Sequence, residues 1–77
     1  MVSNIILKPG DVVDFNSEYF IYQGKLPQGG GETILQFAND KETRGVTMKA
    51  FLREGSIVPP EEKPKVIKKG LSYVFVE

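Results

Sequence analysis

The chain has 77 residues, ten basic and ten acidic, and contains no cysteine, histidine or tryptophan; it is long enough for one small domain, residues 1–77, that buries about 60% of its unfolded surface. Lack of cysteine excludes a disulfide framework and a thiolate metal site and points to a reducing compartment, the cytoplasm, while the cancelling charges argue against a coat for nucleic acid or an anionic membrane. No apolar run approaches the roughly 20 residues that span a bilayer, and residues 1–8 lack the charged start and long apolar middle of a signal peptide.

Glycine and proline divide the chain into pieces of strand length. Ile5, Ile6 and Leu7 form a first apolar segment that Pro9 and Gly10 end. Asp11 to Phe15 reads as a strand with Val12 and Val13 on opposite faces. After a turn at Asn16, Ser17 and Glu18 the chain returns from Tyr19 to Gln23. In that second arm Tyr19 and Ile21 face one way and Phe20 and Tyr22 the other, so the strand is central or carries a partner on its outer face. Leu26 to Gly31 follows as a loop in which three glycines reach positive φ without strain.

Glu32 to Ala38 alternates Thr33, Leu35 and Phe37 with Ile34, Gln36 and Ala38, which predicts a third strand. Asn39 to Gly45 is a polar hairpin turn, and Val46, Thr47 and Met48 an edge or a lead-in. The period then changes. Met48, Phe51 and Leu52 stand at i, i+3 and i+4, and with Thr47 as N-cap and Gly55 as the stop, residues 47–54 make one or two helical turns. Ser56, Ile57 and Val58 read as a short strand ended by Pro59 and Pro60, and residues 61–65 as a charged connector. Val66 and Ile67, then Leu71 to Val76, resume the β pattern around a turn at Lys68, Lys69 and Gly70. The expected fold is all-β: a five- or six-stranded small barrel with one short helical turn.

The available chemistry is narrow. Without histidine or cysteine the commonest general base and the thiolate nucleophile are missing. Asp11 and Asp14 are the nearest pair of carboxylates, but their odd spacing puts them on opposite faces of one strand. No spacing suits a calcium loop, and the glycines at 29–31 lack the lysine and hydroxyl of a phosphate cradle. No catalytic, cofactor or metal site is expected, and the chain reads as a non-catalytic binding module.

Two surfaces offer themselves. Two strands carry apolar residues on both faces, more than a tiny core absorbs, and an exposed remainder marks an interface with a protein partner or a second copy. Tyr19, Tyr22 and the loop residues Gln28, Gly29 and Gly30 are the candidates, with one tyrosine assigned to the core and the other to the surface. The alternative partner is nucleic acid. Residues 1–40 hold two lysines against five carboxylates, whereas residues 41–77 hold eight basic against five acidic side chains. Those eight are Lys41, Arg44, Lys49, Arg53, Lys63, Lys65, Lys68 and Lys69, with Tyr73 and Phe75 as stacking platforms for a single strand.

The order of strand, tight turn, strand, glycine-rich loop, strand, hairpin, short helical turn and closing strands resembles a small SH3-like barrel. The segment Val12 to Ile21 together with Phe51 to Val58 is similar to the N-terminal β-rich part of bacterial transposases of the integrase superfamily. Those enzymes continue into DNA-binding and nuclease domains, so the likeness covers an accessory part. Leu52 to Pro60, Gly70 and Tyr73-Val74-Phe75 look like the helix end and wing of phage excisionases. Both resemblances imply a phage or mobile-element origin, and neither carries functional residues onto this chain; the missing chemistry and the surplus apolar area make the binding module a small regulator or inhibitor in this reading.

Overall fold

Alternating side chains and two-residue turns set the architecture of the computed structural model, which describes residues 7–27 and 33–76. Strands β1 (Val12–Phe15), β2 (Glu18–Pro27), β3 (Thr33–Ala38) and β4 (Thr43–Thr47) are followed by helix α1 (Met48–Glu54), then β5 (Gly55–Ile57), β6 (Val66–Lys69) and β7 (Ser72–Phe75). The first five strands make one antiparallel sheet in the order β4-β3-β2-β1-β5, and β6 and β7 form a separate hairpin. The protein is all-β with one short helix, as expected. The expected closed barrel is not formed, because no ladder joins β4 to β5 among the described residues and both are edges of an open sheet.

The β1–β2 turn is tighter than the sequence suggests. Phe15 pairs with Glu18, so Glu18 already belongs to β2 and the turn consists of Asn16 and Ser17 alone. Both have positive φ, 52° and 67°, the signature of a type I′ turn whose twist matches that of the flanking strands. β2 runs on to Pro27, taking in Leu26 and Pro27, which the sequence places in a loop.

The core lies on one face of the sheet. Val13, Phe15, Phe20, Tyr22, Leu35 and Phe37 point to it from β1, β2 and β3, and Phe51 closes it from the helix. Phe15 meets the rings of Phe20, Phe37 and Phe51 edge-on, with centroids 5.7, 5.2 and 5.7 Å away, the arrangement that aromatic quadrupoles favour. The helix that delivers Phe51 starts as predicted, since the Ala50 N–H donates to Thr47 Oγ1 at 3.2 Å. It ends for a different reason. Gly55 has φ −112° and is extended rather than left-handed, and what requires glycine is space: a Cβ there would stand 2.8 Å from the rings of Phe15 and Phe51.

The opposite face is covered as well. Val12 and Ile21 pair across β1 and β2 and are 1% and 0% exposed. Beside β1 the chain continues from β5, where the Val58 N–H donates to the Val12 carbonyl at 3.1 Å and Val58 is itself buried. Beside β2 lies β7. Tyr73 packs its ring where a Cβ on Gly10 would reach to 3.2 Å, and Gly10 holds φ +100°. Of the apolar residues on the two faces of β2, Phe20, Ile21 and Tyr22 are thus used within the domain, whereas Tyr19 and Leu26 stay partly exposed.

The hairpin differs from expectation in its turn. Lys69 pairs with Ser72, so Lys68 and Lys69 lie in β6 and the turn is Gly70-Leu71, with Gly70 at φ +66°. Glycine at the first position of a two-residue turn is what this geometry asks for.

Candidate functional site

One residue of β2 stands out of the ladder. Pairing with β3 runs Tyr22 to Phe37 and then Gly24 to Gln36, so Gln23 is the extra residue of a β-bulge. Its carboxamide crosses to the hairpin. Nε2 donates to the Tyr73 carbonyl at 2.9 Å, the Tyr73 N–H donates to Oε1 at 2.9 Å, and Nε2 also lies 3.3 Å from the Ile21 carbonyl.

The register explains why Tyr73 receives it. Lys69 and Ser72 flank the turn, and the Val76 N–H donates to the Lys65 carbonyl at 3.0 Å. Residues 72, 74 and 76 therefore face β6, while Tyr73 and Phe75 turn their peptide groups away from it. Gln23 occupies the place of a neighbouring strand at the first of these two.

Along the same edge runs a cleft of about 330 Å³. Gln36, Ala38 and Thr43 of the sheet form one wall, and Leu71, Tyr73 and Phe75 are prominent in the other. Asn39 and Asp40, from the β3–β4 turn, line it too. Asn39 fixes that turn: its Oδ1 accepts from the N–H groups of Lys41 and Glu42 at 2.8 and 2.9 Å, and its Nδ2 donates to the Tyr19 carbonyl at 3.1 Å. No residue of β6 or β7 is buried. Leu71 at the hairpin tip is 96% exposed.

The proposed partner-binding residues separate. Tyr19 is 36% exposed and, by alternation, shares the cleft face of β2 with Ile21. Tyr22 does not offer a contact surface. It is 2% exposed, its ring lies 5.4 Å from that of Phe37, and burial holds its phenol above the usual value near 10. Gln28, Gly29 and Gly30 lie outside the described residues.

The eight basic residues are spread over several elements. Lys41 is in the β3–β4 turn, Arg44 on β4, Lys49 and Arg53 on α1, Lys63 and Lys65 in the connector before β6, and Lys68 and Lys69 on β6. Arg44 is engaged elsewhere: its guanidinium sits 4.8 Å from the Phe20 ring centroid and 3.2 Å from Glu42 Oε2. Arg53 lies 3.6 Å from Glu54 Oε2, and the Lys68 ammonium 5.8 Å from the centre of Tyr73. Asp11 has a structural task, its Oδ2 accepting the Lys8 N–H at 2.9 Å. No group of three or more carboxylates gathers among the described residues.

Sequence reasoning missed Gln23 and the cleft. A bulge leaves no periodic mark of its own, and the residues it brings together are fifty apart in the chain. Comparison of the chain with protein-family models, with curated proteins and with solved structures finds no match.

Proposed function

We propose that the chain is a non-catalytic module that binds a protein partner at the cleft between the sheet and the β6–β7 hairpin, as a small regulator or inhibitor of phage or mobile-element type. The observation that carries this reading is the cleft itself, which combines a strand edge, polar carboxamides and hydroxyls, and a fully projecting Leu71. An exposed large apolar side chain beside hydrogen-bonding groups offers a partner both area to bury and groups that fix orientation. The missing histidine and cysteine support a binding role over a chemical one. The return of β5 to β1 after a short helix supports the SH3-like resemblance.

The chain is expected to select binders from a displayed library of genomic fragments of its source. Binding should be lost in Leu71→Asp and kept in Leu52→Asp, a control at a residue on α1 that is 51% exposed. Equal binding by both variants rejects the cleft. Nucleic-acid binding is the competing reading, less favoured because Arg44 is held by Phe20 and Glu42. Anisotropy of a labelled single-stranded 20-mer should stay flat at about 50 mM salt, and a signal that falls steeply with added salt would establish the competing reading.

A further inference from the structure

We infer that the partner is held as an extended strand that adds to the outer edge of β7 and displaces the Gln23 carboxamide; this rests on the protein-binding reading above. Three observations converge on one occupant. The outward-facing peptide groups of β7 belong to Tyr73 and Phe75, and those of Tyr73 are already recognised by an amide. That amide both donates and accepts at 2.9 Å on a single residue, as a neighbouring strand does at a residue whose peptide groups face it. Gln23 is therefore a stand-in for a peptide group.

The cleft continues the same edge, with Leu71 to Phe75 along one side. At a strand spacing of about 4.8 Å and a layer spacing of about 10 Å, its volume of about 330 Å³ houses about two residues of an added strand. Side chains of that strand would alternate between the sheet wall, where Gln36 and Thr43 provide hydrogen-bonding groups, and the solvent side next to Leu71. Recognition of this kind takes affinity from the main chain and selectivity from alternate side chains. Displacing Gln23 frees an amide at a bulge beside the cleft, where water satisfies it, so the exchange replaces one set of hydrogen bonds with a longer one.

The test uses the full 77-residue chain and a displayed library of linear dodecapeptides. Selected peptides should shift the backbone amide signals of Tyr73 and Phe75 and the side-chain amide of Gln23 in nitrogen-15 spectra. N-methylation of alternate peptide residues should abolish binding in one register and spare it in the other. Gln23→Ala, with its folded spectrum verified, should bind about tenfold more tightly, because the internal competitor is gone. Peptides that shift α1 or the β4 edge instead, or that tolerate N-methylation in both registers, overturn strand addition and leave protein binding standing. The same follows if only folded domains from the genomic library bind. Light scattering that shows a dimer formed through the same β7 amides would assign the edge to a second copy and overturn the partner. No binder from either library overturns the proposed function together with the inference.

Discussion

At Gly55 the side chain is absent because two phenyl rings already fill its place. The position was legible as a helix stop, but the reason was not, since the ring of Phe15 arrives from forty residues earlier in the chain. Gly55→Ala would set its methyl 2.8 Å from both Phe15 and Phe51. Overpacking of this size costs about 1–3 kcal/mol, which a urea titration would read as a lower midpoint at unchanged slope; an unshifted midpoint would show that the two rings yield freely. Tyr19 and Tyr22 teach a related lesson. Alternation puts them on opposite faces, yet nothing in β2 says which face is the core. The decision comes from Phe51, which α1 lays over the face of Phe20 and Tyr22.

Among the elements, the β1–β2 turn holds a correctable cost. Ser17 adopts φ 67°, a conformation that costs most residues roughly 1–2 kcal/mol and glycine little. Asn-Gly is the preferred pair for this turn. Ser17→Gly should therefore stabilise the fold by about 1 kcal/mol, visible as a higher urea midpoint, and a loss of stability would refute the turn assignment. Strand existence was legible here and boundaries less so. The N-cap at Thr47 is where the sequence puts it, because its mechanism is local. Lys68 and Lys69 were misplaced in a turn because a period of two continues through any polar strand end, and only cross-strand pairing shows that Gly70-Leu71 is the bend.

The whole molecule is unevenly held together. Its buried residues run from β1 to Val58, and none belongs to the hairpin, which hangs on the exposed residues 59–63 and docks through Gln23 and Tyr73. Segments with few buried apolar contacts open at lower free energy than the rest. In native-state hydrogen exchange, the amides of β6 and β7 should exchange together and well before those of β1, β2 and β3; a single opening free energy for β2 and β7 would contradict this. The all-β class and the helical turn were readable because they follow from local pattern. The open sheet and the cleft were not, as both depend on which distant strands meet.

Arg44 has a consequence for self-association. It lies on β4, an open edge of the sheet, with its guanidinium over the Phe20 ring and paired with Glu42. A charged side chain on an edge strand makes it costly for a foreign strand to pair there and cover it. At the other edge β5 is only three residues long, too brief to template growth. A chain of zero formal net charge lacks mutual repulsion to keep its copies apart, so features that disfavour pairing at the two edges of the five-stranded sheet count for more here.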